Sequence, residues 1–258
     1  MVKIHPTVIL DPAAQLGENV EVDAFTIIKG DVIVGDGTKI GTGSYLDDGT
    51  RIGRNCQIGH RVFLGNPPQD LKYAGEKTYL EIGDGTVIRE FCTLNRGTTY
   101  HYKTVVGKNC FIMTYVHIAH DCIIGDNVII ANAVNLAGHV EIHSHATIGG
   151  MTPIHQFVKV GQHAFVGGGL RVSKDVPPFI RAMGEPLRYG GTNFVGLQRK
   201  GFSREVILEI KRAYDLIYHS KYTVTEAVQV IAEKLQPFEE IKLICDFIKN
   251  SERGIIRG

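Results

Sequence analysis

Stepping through the chain from Ile4 in strides of six lands on Ile, Leu or Val at 26 of 29 positions up to Val172. The exceptions are Asp70, Glu76 and Tyr100, and the aliphatic phase resumes after them unchanged, at Ile82 and at Val106. The residue following the aliphatic is Gly twelve times, as at Gly17, Gly35, Gly41 and Gly53. The residue two before it is usually small or β-branched, as at Ala14, Val20, Thr26, Ser44 and Thr50. This pattern reads as short strands joined by tight turns, with glycine expected where the backbone takes positive φ. A six-residue unit with one large inward side chain suits a parallel β-helix of triangular section. Three hexads then make a coil of 18 residues, each coil lying about 4.8 Å above the last.

Two stretches are too polar for a coil. Asn66 to Glu76, with Pro67-Pro68, and Gly97 to Thr104, with Tyr100, His101 and Tyr102, are expected as projecting loops near 66–79 and 97–104. Val176-Pro177-Pro178-Phe179 ends the repeat, and Gly184 to Asn193 has no period. From Ser203, a plausible N-cap, the period turns helical, with Val206, Ile207, Ile210, Ala213, Tyr214 and Ile217 on one stripe. Further helices are expected near 224–235 and 237–250. The expected fold is mainly β: a parallel β-helix over 1–178, followed by a small α-helical C-terminal domain over 179–258.

The net charge of +1 and the absence of a long basic run argue against a nucleic-acid partner. No apolar run reaches the length of a membrane span and no signal core opens the chain, so a cytoplasmic protein is expected. Five cysteines include no CxxC, and Cys56, Cys92, Cys110 and Cys122 all take the small position of the hexad. Packing, not metal or redox chemistry, is their expected role.

Eight of eleven histidines lie between His101 and His163. With 18 residues to a coil, Gly138 stacks on His120 and His139 on Asp121. A histidine is the usual general base near neutral pH, and a neighbouring carboxylate orients it. A free N–H at Gly138 could hold an oxyanion. These are the parts of acyl transfer to a hydroxyl by direct attack, since no outward serine or cysteine offers a nucleophile. Clustered histidines could instead hold zinc in a metal-dependent hydratase or hydrolase. The His-x4-His pair of the hexapeptide-repeat carbonic anhydrases is absent, and no metal is expected.

The chain resembles the UDP-N-acetylglucosamine O-acyltransferases, within the hexapeptide-repeat acyltransferase superfamily, over nearly its full length. The resemblance is carried by Asn66-x3-Asp70-Leu71-Lys72-Tyr73-Ala74-Gly75, Arg96-Gly97-Thr98, His117-Ile118-Ala119-His120-Asp121-Cys122, Leu136-Ala137-Gly138-His139-Val140, Gly149-Gly150-Met151-Thr152 and His155-Gln156-Phe157. Asp175-Val176-Pro177-Pro178 and Gly201-Phe202-Ser203-Arg204-Glu205 extend it. It implies a left-handed β-helix, against the usual right hand of parallel crossovers, and a homotrimer with active sites between subunits. It further implies transfer of an R-3-hydroxyacyl chain from acyl carrier protein to the 3-hydroxyl of UDP-N-acetylglucosamine, the first step of lipid A biosynthesis. The acyl group arrives on the carrier's phosphopantetheine, and no other cofactor is implied. His120 would be the base, Asp121 its orienting partner and Gly138 the oxyanion donor. Asp70, Lys72, His117, His139, His155, Gln156, Asn193 and Arg199 would contact substrate, and Gly168 and Leu170 would set acyl length. Lys159, Arg171, Lys174, Arg181, Arg199, Lys200 and Arg204 could meet the acidic carrier protein. The family often has His where this chain has Asn95, and members that acylate a 3-amino sugar differ around the groove. N-acylation of such an analogue therefore stays an alternative.

Overall fold

A computed structural model of the chain describes residues 1–258. The hexads form strands mostly two residues long, such as Ile27–Ile28 and Lys39–Ile40, in which the second side chain is buried. Three parallel sheets result, with partners one coil apart: Lys3 pairs with Glu21, Ile9 with Ile27 and Gln15 with Ile33. The product is a left-handed parallel β-helix whose interior is the aliphatic ladder.

The two interruptions keep phase because of their lengths. Across the first, Gln57 pairs with Val87, 30 residues on; across the second, Thr93 pairs with His117, 24 residues on. The insertions therefore add twelve and six residues to their coils, two hexads and one. The three polar exceptions in the register fall within these excess residues.

The role expected for the hexad glycines needs correction. Positive φ falls three residues before the aliphatic, mostly on non-glycine residues such as Asn19, Asn55, Asp121 and His139, and sometimes on glycine, as at Gly37 and Gly43. Gly35 and Gly41, which follow the aliphatic, do not take it. There the constraint is distance. A methyl on Gly35 would lie 2.6 Å from the Gly53 carbonyl carbon, and one on Gly41 2.8 Å from that of Gly59. Glycine lets successive coils touch.

The small position also bonds between coils. Thr38 and Ser44 donate their hydroxyls to Gly53 O and Gly59 O, at 2.9 and 3.0 Å. Cys110 and Cys122 do the same with their thiols, to Gly125 O at 3.1 Å and Ala137 O at 3.2 Å. All five cysteines are free and buried, and burial pushes the Cys122 thiol up to about 12.

Ile180–Met183 pairs with Phe165–Val166 and extends the longest sheet. The segment without period turns back as an antiparallel strand, Arg188–Thr192, where irregular chain was expected. Helix α1 (Phe194–Arg199) follows, also without a sequence signal. Helix α2 (Arg204–Tyr218) begins at Ser203, whose side chain accepts from the Val206 N–H. Helix α3 (Val224–Lys234) starts in a capping box between Thr223 and Glu226, and α4 is Glu239–Lys249. The buried stripe Ile207, Ile210, Ala213, Tyr214 and Ile217 joins the β-helix core. The Tyr214 hydroxyl, fully buried, donates to Pro178 O at 2.5 Å.

Candidate active site

Each coil turns three corners, and His120, Gly138 and Gln156 stack on one of them. Both insertions leave the column at this corner, directly after Phe63–Asn66 and Thr93–Asn95. The second folds over the coil above. Thr98 donates its N–H to Asp121 Oδ1 at 3.0 Å and its hydroxyl to Oδ2 at 2.6 Å, and the His101 N–H reaches Oδ1 at 3.1 Å. Asp121 is 1% exposed. Burial works against its ionisation, but the hydrogen bonds from His120, Thr98 and His101 together outweigh it and hold the carboxyl at about 2.

His120 Nδ1 lies 2.8 Å from Asp121 Oδ2. An ionised carboxylate only accepts, so Nδ1 carries the proton and Nε2 keeps its lone pair. The ring lies over Gly138, where a methyl would come within 2.7 Å of His120 Cε1 and 2.8 Å of Nε2. The Gly138 N–H donates to no protein acceptor. At the same hexad position on another corner the N–H is occupied, as where Arg54 donates to Asp84 and Lys108 to Asp126. A proton acceptor and an unused donor thus stand side by side.

His139 forms the adjoining wall. It stacks flat on Phe157 at 4.4 Å, and Tyr100 meets its edge at 4.6 Å. Burial lowers its pKa, while the charges of Asp121 and Asp70 pull it back up. His139 Nδ1 is buried without a partner. His117 projects from the neighbouring strand, its Nδ1 2.7 Å from Thr93 Oγ1, and burial lowers its pKa too.

His120, Asp121, Gly138 and His139 thus form one patch, with His117, Asp70, His155 and Gln156 around it. Lys72 is exposed beside Leu71, which is fully exposed at the tip of the first insertion. Other expected contacts sit elsewhere. Gly168 and Leu170 occupy the corner after Phe165–Val166. Asn193 precedes α1 without a side-chain capping bond and donates to His163 O at 3.0 Å at the remaining corner, with Arg199 exposed in the last turn of that helix. Within one chain, then, the expected substrate residues occupy three different corners. Thr98, His101, Tyr100 and Phe157 had been given no role. Phe157 lies one coil beyond His139, so the register alone could have found it.

His120, Asp121 and His139 offer three ligand atoms within 4.8 Å of one another, as a metal site would. The Asp121 oxygens are already engaged by Thr98, His101 and His120. The donor set fits a fixed imidazole better than a cation.

Residues 175–256 match the family model described as Udp N-acetylglucosamine O-acyltransferase, domain 2. Residues 13–48, 31–66 and 103–138 match the bacterial transferase hexapeptide model. A protein of Sulfurihydrogenibium sp. named acyl-[acyl-carrier-protein]–UDP-N-acetylglucosamine O-acyltransferase is 50% identical over 99% of this chain and 94% of its own length. The chain belongs to the UDP-N-acetylglucosamine O-acyltransferase family. A like-named member from Thiobacillus denitrificans is 46% identical over the whole of both chains. Among solved structures of the family, the acyltransferase from Bacteroides fragilis superposes with a TM-score of 0.96 at 42% identity, covering 98% of this chain and 99% of its own. That from Campylobacter jejuni gives 0.94 at 36% identity, covering 99% and 100%. As a member of the UDP-N-acetylglucosamine O-acyltransferase family, this chain is an acyltransferase. No helix in it is long and apolar enough to cross a membrane.

Proposed function

We propose that the enzyme transfers an R-3-hydroxyacyl chain from the phosphopantetheine thioester of acyl carrier protein to the 3-hydroxyl of UDP-N-acetylglucosamine, opening lipid A biosynthesis. His120 Nε2 removes the hydroxyl proton as the sugar oxygen attacks the thioester carbonyl. The Gly138 N–H receives the oxyanion, the C–S bond breaks, and the His120 proton passes to the departing thiolate. Asp121 holds the ring in this tautomer and stabilises its charged form. No group besides the carrier's phosphopantetheine is required.

The observation that carries this reading is the 2.8 Å contact between His120 Nδ1 and Asp121, which leaves Nε2 free above Gly138. Direct attack is supported by the nearby hydroxyls and thiol. Those of Thr98 and Thr93 are engaged with Asp121 and His117, and the Cys122 thiol donates into the column. Three copies assembling around a common axis would bring Asn193 and Arg199, or Gly168 and Leu170, of one chain toward the His120 corner of another. The amide-forming alternative draws on Asn95; that side chain is buried and donates to Pro67 O at 2.8 Å. The test is an acylation assay comparing UDP-N-acetylglucosamine with its 3-amino analogue across several acyl lengths. Ester product is expected, and His120→Ala should lower the rate on the order of 10²–10⁴. Near-normal turnover in that variant would remove His120 as the base.

A further inference from the structure

Between the first insertion and the catalytic carboxylate lies a single strand end, Asn95-Arg96-Gly97-Thr98. Its last residue grips Asp121. Its first two grip the base of the insertion that carries Asp70. Asn95 Nδ2 donates to Pro67 O, the Arg96 N–H donates to Asn66 O at 3.1 Å, and Arg96 Nη1 donates to Gly65 O at 2.9 Å and Asp48 O at 3.1 Å. Arg96 Nε donates to the Tyr73 hydroxyl at 3.2 Å, beyond Asp70 on the same loop, and the guanidinium lies over that ring at 5.7 Å. The Arg96 side chain is 15% exposed and faces Asp47 at 3.6 Å. One planar cation thus ties the loop where it leaves the column and again past its turn. Neither end of this contact touches the reacting groups.

We propose that Arg96 is a positioning residue for the reaction: it fixes the direction of the first insertion, which carries Asp70. The inference rests on the function proposed above, in which Asp70 contacts the sugar nucleotide. It follows from geometry. The insertion's own bonds, such as Tyr73 N–H to Asp70 O and the Tyr73 hydroxyl to Glu76 O, close it on itself, while a forked donor reaching three acceptors defines its direction as a point charge could not.

Two variants test it. Arg96→Lys keeps a cation near Asp47 and loses the fork; Tyr73→Phe deletes the hydroxyl that accepts from Arg96 and also donates to Glu76 O at 2.8 Å. Both should raise KM for UDP-N-acetylglucosamine by about three- to tenfold, with kcat and its pH profile unchanged. Amide exchange over Leu71–Lys77, which does not depend on turnover, should quicken. In an Asp70→Ala background neither variant should raise KM further. Losses that add fully to that of Asp70→Ala, losses that fall on kcat, or unchanged exchange would overturn the inference while leaving the acyltransfer reading standing. If Asp70→Ala alone leaves KM at the wild-type value, the assignment of Asp70 to the sugar nucleotide fails, and this inference with it.

Discussion

Replacing Thr98 with Val removes one hydroxyl from the Asp121 cradle, and with it the acceptor of the Tyr100 N–H at 3.2 Å, and keeps the shape of the side chain and the bonds of its own N–H. The lost bond is short, 2.6 Å, and its acceptor is charged and buried. Such a bond contributes about 1.5–3 kcal/mol, or about one to two pH units. The Asp121 carboxyl, held at about 2 against an ordinary 3.8, is depressed on folding. Its stabilising contribution is therefore present above 3.8 and lost as pH falls through 2; at neutral pH it amounts to about 2 kcal/mol. In the variant the folded value rises toward the unfolded one, so the variant and the wild type converge in acid. Urea unfolding should show a penalty of about 2 kcal/mol at neutral pH, shrinking to about 1 kcal/mol near pH 3 and further toward pH 2. An equal penalty at both pH values would refute the reasoning, because the hydroxyl would then be stabilising the loop and not the charge.

Gly138→Ala pushes a methyl into the His120 ring, and should lower kcat by about 10²-fold with the thermal transition preserved. A normal rate would show that the ring does not need its present position. Gly35→Ala, 2.6 Å from the next coil's backbone, should destabilise by about 1–3 kcal/mol in thermal unfolding. Gly43→Asn, at φ +70 with its nearest neighbour Arg61 Cγ at 3.4 Å, should stay within about 0.5 kcal/mol of wild type. Prolonged chelation should leave turnover intact, because the Asp121 oxygens are already engaged; stoichiometric zinc lost together with activity would overturn the base assignment.

The column was legible because one rule repeats: a single inward aliphatic per hexad, with the same neighbours, wrote the register of every coil. Stacking arithmetic then placed Gly138 on His120 and His139 on Asp121 without any coordinates. The glycine rule was misread because two demands, left-handed backbone and close approach, favour the same residue, and only coordinates separate Gly43 from Gly35. The groups that ionise Asp121 were not legible for another reason. Thr98 and His101 sit in an insertion with no period, 23 and 20 residues before Asp121, and their approach is set by how that loop folds back. The strand Arg188–Thr192 and helix α1 were missed likewise, since each is held by pairing or packing with the column's end and not by a pattern of its own.

The patch stands on an outside corner of a prism, and convexity has a cost. Side chains on a ridge splay apart, so successive coils can line up a base and a donor but cannot wrap a sugar nucleotide or keep bulk water from the thioester. Tyr100 and Phe157 shelter one flank; in the assembly proposed above, a neighbouring chain covers the other. A ridge becomes a cleft only when another surface lies against it. Dilution should therefore extinguish turnover before any single column unravels, and mixing two inactive variants, one damaged on the ridge and one on the opposing corner, should restore part of it.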